Sequence, residues 1–335
     1  MVSARGCLGD ALCNGLCLCA RRVCTLSCVT VAYGSTRSLG HTRSSLARLL
    51  RDGSVVVDVS SVIVTQPHGS SSIQSVEQPS RRELVIAVGK ILGFAAANNL
   101  AVAESSSEFI AFLNPDLELT EGWLPPLLAA LDDPAVAITA PVLLHPEGHV
   151  DEAGQAVFSD GGSLAIGGPH WPGGRDSYPT VMFDRDVDYA SAACWVMRRS
   201  VFNELGGFST DYWPAYFEDN DLAQRARQAG YVTRLVTSRP VIHHHEGASA
   251  ERVAIAQRSR ATFERKWADV LVTKPDRSLL DTDSRSVRDW HCDQTTITHA
   301  TGDEIPALAA CAVSNPHNRH TGLLADCNIP WLPQK

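Results

Sequence analysis

The chain has 335 residues, enough for one large domain or two small ones with ample core. Its 44% hydrophobic and 20% charged content is that of a globular protein rather than a disordered or membrane-embedded one. A net charge of −8 with no basic stripe excludes a general nucleic-acid binder, and an anionic nucleotide would then need a cation or local arginines.

Residues 1–27 hold Cys7, Cys13, Cys17, Cys19 and Cys24, with Cys28 just beyond. None of these pairs as C-x-x-C, so the segment reads as an unstructured leader in preference to a zinc module. Asp10, Asn14 and Arg21-Arg22 interrupt any signal-peptide run. The scattered Cys194, Cys292, Cys311 and Cys327 fit reduced cytosolic thiols.

The spacing predicts a strand over 28–33, a helix over 44–50 and a β-branched strand over 55–64 that closes on the turn Pro67-His68-Gly69. A strand at 84–88 and a helix at 93–103 follow. Lys90 and Asn98-Asn99 argue against reading that apolar stretch as a membrane span. Phe109 to Leu113 reads as a buried strand, Thr120 as the cap of a helix through Leu127, Leu128 and Leu131, and 135–142 as a further strand. The glycine-rich stretch 148–179 reads as a long irregular loop. Beyond it lie an apolar run at 189–197, a short helix capped by Ser200, and a helix capped by Asp221 that Gly230 stops. Extended segments at 232–236 and 240–242 and a helix over 252–267 complete a domain spanning 28–268. Residues 269–335 read as a weakly structured tail. Strands alternating with helices predict an α/β fold with a mostly parallel central sheet flanked by helices.

Ligands of such sheets bind beyond the carboxyl ends of the strands, where Asp116 follows Phe109–Leu113 on a turn set by Pro115. A carboxylate there can bind Mg²⁺ or Mn²⁺ bridging a diphosphate, although Asn114-Pro115-Asp116 is also an ordinary turn sequence. Glu218, Asp219 and Asp221 crowd a helix start, which predicts mutual repulsion and at least one raised pKa. Asp219, flanked by Tyr212, Trp213, Tyr216 and Phe217, is then a candidate general base for a hydroxyl, with Glu218 beside it. His243, His244 and His245 follow a strand, so alternate members face opposite sides, and one of them can complete a metal site with Asp116. Arg198-Arg199 reads as a solvated surface pair, with phosphate neutralisation as the alternative.

In order and spacing, several motifs together resemble the family-2 glycosyltransferases, in particular the rhamnosyl- and galactofuranosyltransferase-like branch with a GT-A fold. They are Leu92-Gly93-Phe94 through Asn98-Asn99, Phe112 to Asp116, Asp188 to Cys194 with Arg198-Arg199, Leu205-Gly206-Gly207-Phe208, Phe217 to Leu222, and Val241-Ile242-His243. The resemblance covers about residues 28–267. It implies an inverting, metal-dependent transfer of a sugar from a UDP- or dTDP-linked donor to a glycan or lipid-linked acceptor, in cell-wall or surface-polysaccharide synthesis. It also implies a cytoplasmic enzyme attached peripherally at the inner face of the plasma membrane. By the same resemblance, Asp219 and Glu218 are the catalytic pair, Tyr33, Asn114 and Asp116 bind the donor, and Asp116 and His243 hold the metal. The chain departs from the family at Thr65-Gln66, where an aspartate usually helps hold the donor's base, and at Ile91, where asparagine is usual. That departure supports a second reading, a degenerate member that binds a glycan or a partner without catalysis. A third, a metal-binding protein built on the leader cysteines and the histidine cluster, fits the composition but none of the ordered motifs.

Overall fold

The computed structural model describes residues 24–33, 39–51, 58–67, 82–171, 181–245 and 249–280. Strands β1 (Thr25–Tyr33), β2 (Asp58–Gln66), β3 (Glu83–Ala87), β4 (Phe109–Leu113) and β6 (Val136–Leu144) are β-branched, apolar runs. β4 and β6 are buried almost end to end, as expected where helices cover both faces of a sheet. With β5 (Leu117–Glu118), β7 (Val150–Glu152), β10 (Arg185–Val187), β11 (Cys194–Arg198) and β12 (Val232–His243) they form one sheet, whose main path runs β10-β12-β6-β11-β4-β1-β2-β3. A small separate hairpin joins β8 (Gln155–Val157) to β9 (Ser163–Ala165) inside the glycine-rich stretch.

The two faces have separate cores. Helices α1 (Leu39–Arg51) and α3 (Leu124–Ala130) cover one face through Leu46, Leu49, Leu124 and Leu127. The other is covered by α2 (Gly93–Ala103), α4 (Arg199–Glu204), α5 (Glu218–Gln228), α6 (Ala250–Lys266) and the short α7 (Ala268–Leu271), through Ala97, Ala101, Phe202, Leu222, Phe263 and Leu271. Among the described residues no helix is long and apolar enough to cross a membrane.

Strand polarity decides where chemistry can gather. β1, β2, β3 and β4 pair in parallel, and β11 runs antiparallel to both β4 and β6, so β6 and its parallel neighbour β12 point the same way as β4. Tyr33, Gln66, Asn114-Asp116 and His243 therefore leave the sheet at one edge. β7 folds back antiparallel on the end of β6, with Leu143 opposite Glu152, and β11 starts with Cys194 opposite Leu113. Asp151, Glu152 and Ser191–Ala193 reach the same edge.

Three caps differ from expectation. Helix α3 starts at Leu124 with no side-chain cap, and Thr120 Oγ1 instead donates to Pro240 O at 2.6 Å. Helix α4 starts at Arg199, so Ser200 is its second residue. Helix α5 begins at Glu218, three residues before Asp221, whose buried carboxylate accepts from Tyr212 Oη at 2.9 Å and Trp267 Nε1 at 3.0 Å. The Thr120 hydroxyl and the Asp221 carboxylate thus find tertiary partners instead of the local amide. The extended segments at 232–236 and 240–242 are one strand with a register shift between Val236 and Val241. The leader cysteines before Cys24, and the turn residues His68-Gly69, lie outside the described residues.

Candidate active site

The turn after β4 is pinned from several sides. Thr42 Oγ1 on α1 donates to Asn114 O at 2.6 Å and accepts Leu117 N–H at 2.9 Å, and Ser45 Oγ accepts Leu119 N–H at 3.1 Å. Asn114 N–H donates to Ala193 O at 2.8 Å, and His244 N–H donates to Asp116 O at 2.8 Å. Asn114 thus contributes its backbone, and the turn holds the Asp116 side chain in place. β5 pairs antiparallel with β12, Leu117 opposite His243, which brings the histidine beside Asp116.

Asp116 Oδ1 is buried without a hydrogen bond and lies 3.4 Å from His243 Nε2. Two ligands at right angles on a cation with bonds of about 2.1 Å would stand about 3 Å apart. An orphaned carboxylate oxygen and an imidazole nitrogen at this spacing fit Mg²⁺ or Mn²⁺. The other nitrogen of His243, Nδ1, is 3.4 Å from Asp151 Oδ2, and His245 Nε2 is 2.5 Å from that same oxygen. Burial disfavours charge on His243, but the facing carboxylates of Asp116 and Asp151 outweigh it and raise the imidazole to about 9. His244 faces the other way, stacked on His41 at 4.2 Å and 3.3 Å from Glu118.

Across the edge, Ser191–Ala193 links this group to the helix-mouth acids. Ser191 N–H donates to Glu152 Oε1 at 2.6 Å, and Ala192 N–H to Asp219 Oδ2 at 3.3 Å. Burial pushes Glu152 up to about 7 against its hydrogen bonds from Ser191 N–H and Gln155 Nε2. Burial also raises Asp219, and raises Glu218 well above its ordinary value with the Asp219 charge as the second cause. Desolvation rather than mutual repulsion is thus the leading cause at both. Glu218 Oε2 has no hydrogen-bond partner.

Tyr216 and Phe217 precede this pair with φ of 73° and 71°, a left-handed conformation that bulky residues adopt only at a cost of about 1–3 kcal/mol each. Helix α6 holds the bend: Ser259 Oγ donates to Ala215 O at 2.8 Å and Phe263 packs on Phe217 at 5.3 Å. Of the four aromatics near Asp219, Tyr212 is buried and Phe217 packed inward. Trp213 and Tyr216, 54% and 38% exposed, are the two that offer a face to a ligand.

Tyr33 stands at the edge on the end of β1, level with Gln66, its phenol raised by burial and then by Glu251 of α6. Gln66 is consumed internally, its Oε1 accepting Leu92 N–H at 2.8 Å and Gly93 N–H at 3.0 Å. Arg198 and Arg199 are not a solvated pair. Arg198 donates to Leu131 O and Val136 O, and Arg199 to Val102 O and Ser107 O, so both bind backbone carbonyls near element ends. The sequence pattern did not single out Thr42, Asp151 or Glu152, and it named His245 only as one of three alternative histidines. The readable signal was the acidic pair Asp151-Glu152 directly after the turn His145-Pro146-Glu147-Gly148-His149.

Residues 72–206 match the family Glycosyl transferase family 2. The N-acetylglucosaminyl-diphospho-decaprenol L-rhamnosyltransferase of Mycobacterium tuberculosis is 30% identical over 181 residues, 48% of this chain and 58% of that protein. The O-antigen biosynthesis protein RfbC of Myxococcus xanthus is 33% identical over 169 residues, 49% of this chain and 13% of its own length. An uncharacterized protein, y4gI, of Sinorhizobium fredii is 31% identical over 200 residues, 57% of this chain and 22% of its own length. The chain thus spans less than two thirds of each of these relatives. GalNAc-T7, solved with UDP, GalNAc and Mn²⁺, superposes with a TM-score of 0.56 at 15% identity, over 75% of this chain and 50% of that one, and shares the fold.

Proposed function

We propose, from the match of residues 72–206 to Glycosyl transferase family 2 and the GT-A-like fold, that the chain transfers a sugar from a nucleotide-diphosphate donor to an acceptor hydroxyl. The acceptor is a glycan or a lipid-linked saccharide, in cell-wall or surface-polysaccharide synthesis. The rhamnosyltransferase relative supports a deoxyhexose donor and a diphospho-lipid acceptor, with the domain working peripherally at the inner face of the plasma membrane. The observation that carries the reading is the buried, unbonded Asp116 Oδ1 beside His243 Nε2, on the sheet edge where Asp219 also lies. Asp116 and His243 would hold Mg²⁺ or Mn²⁺. Bound there, the cation would supply positive charge to offset the departing nucleoside diphosphate.

The chain's own residues do the rest. Asp219, raised by burial yet anchored by the amides of Ala192 and Asn220, takes the proton of the acceptor hydroxyl as the oxygen attacks the sugar carbon. Attack on the face opposite the leaving group inverts the configuration. Trp213 and Tyr216 line the acceptor side, and Tyr33 and the Asn114–Asp116 turn the donor side. Gln66 is occupied in holding α2, so the donor's base is read elsewhere. A thermal-shift panel of UDP, dTDP and GDP, each with and without Mn²⁺, tests the reading. The expected result is a metal-dependent rise with one nucleotide, abolished in Asp116→Asn. No rise with any of them favours the non-catalytic, glycan-binding alternative, which the occupied Gln66 also supports.

A further inference from the structure

His243 is approached at both ring nitrogens, by Asp116 Oδ1 on the Nε2 side and Asp151 Oδ2 on the Nδ1 side, each at 3.4 Å. An imidazole that ligates a cation through one nitrogen commonly donates the other N–H to a carboxylate, which fixes the tautomer and aims the ring. Nδ1 is buried and lacks an aligned hydrogen bond, and Asp151 is the carboxylate the structure sets beside it. Asp151 is itself steadied: β7 is paired to the end of β6, and His245, half exposed, closes on the same carboxylate oxygen at 2.5 Å.

We propose that Asp151 is a positioning residue, which accepts a hydrogen bond from Nδ1–H of His243 and so directs Nε2 toward a cation shared with Asp116. The assignment rests on the metal-dependent reading above and gives a role to a residue thirty-five positions from Asp116 in the chain. The ring contact of 3.9 Å between His243 and His245 defines the competing arrangement, in which Asp151, His243 and His245 all ligate directly. Asp116 would then be a bystander.

The test is Mn²⁺ binding to the full chain, with and without UDP, by continuous-wave and pulsed EPR. Mn²⁺ favours oxygen and imidazole over thiolate, so the leader cysteines do not compete. Asp151→Ala should weaken Mn²⁺ by about 10–100-fold. Asp151→Asn should recover part of that loss, because its amide oxygen still accepts Nδ1–H. The wild-type spectrum should carry one histidine ¹⁴N coupling, unchanged in His245→Ala and lost or shifted in Asp151→Ala. Wild-type affinity in both Asp151 variants overturns the assignment while leaving the transferase reading intact. A second ¹⁴N coupling that vanishes in His245→Ala overturns it in favour of direct ligation. Absence of Mn²⁺ binding in the wild type overturns the metal-dependent reading and this role together.

Discussion

Glu218 is a carboxyl that folding holds away from ionisation, buried at the mouth of α5 with one oxygen unpartnered and a second acid next to it. Its folded pKa lies above the unfolded value of about 4.3, so its favourable contribution is complete below that value and is lost as pH rises through the folded one. Glu218→Gln should therefore unfold at a higher temperature than wild type at pH 8, with the gap closing below pH 4. An equal gap at both pH values would mean that the carboxyl is not held neutral. Asp219 differs in being anchored by two amides and partly open to solvent, which suits a base. Asp219→Asn should lower kcat by about 10²–10⁴-fold while keeping the nucleotide-dependent thermal shift. A kcat within a few-fold of wild type would assign the proton transfer to another group.

At the scale of elements, the site is stiffened by side chains whose hydrogen bonds tie one element to another. Asp221 ties α5 to α6 and to the 3₁₀ turn at Thr210–Tyr212. It accepts from Tyr212 and Trp267, and pairs with Arg225 at 2.8 Å and Lys266 at 2.7 Å. Burial opposes its charge, yet these partners hold its pKa below the ordinary value, so its stabilisation is present above the unfolded pKa and lost as pH falls through the folded one. Asp221→Ala should cost about 3–5 kcal/mol in urea unfolding at pH 7, less whatever solvent screens at the part-exposed Lys266. Thr42 has the corresponding role for the turn that carries Asp116. Thr42→Val strands Asn114 O and Leu117 N–H, for a loss of about 1–3 kcal/mol, and should weaken Mn²⁺ binding without touching the cation. Such clamps were not legible in the sequence. Asp221 looks like a helix cap and Thr42 falls just before the helix expected over 44–50, because Trp267 and Asn114, which they bind, lie 46 and 72 positions away.

Taken whole, the molecule is a sheet whose carboxyl-end edge collects acids and histidines from segments spread between Asp116 and His245. Past α6 the chain turns back over the β8–β9 hairpin. Pro275 O accepts Ser159 N–H at 2.9 Å, Lys274 pairs with Asp188 at 2.5 Å, and Arg277 lies over Phe158 at 4.7 Å. Paired Lys274→Ala and Arg277→Ala changes should lower the melting temperature and speed proteolysis near Ser159–Gly162. Unchanged cleavage there would mean that the hairpin is held by its own core. The sequence by itself determined the fold class, the alternation of the longer strands with helices, and the motifs Asn114-Pro115-Asp116, Glu218-Asp219 and His243, because β-branched runs, helical spacing and turn residues act locally. The short strands β5 and β7 to β10 were not legible. Only the tertiary structure decided that Asp151, Glu152 and Thr42 serve that edge, that Arg198 and Arg199 bind carbonyls, and that burial raises the helix-mouth acids. Those outcomes depend on which strand ends meet and how much water is excluded between them, and neither is a property of neighbouring residues in the chain.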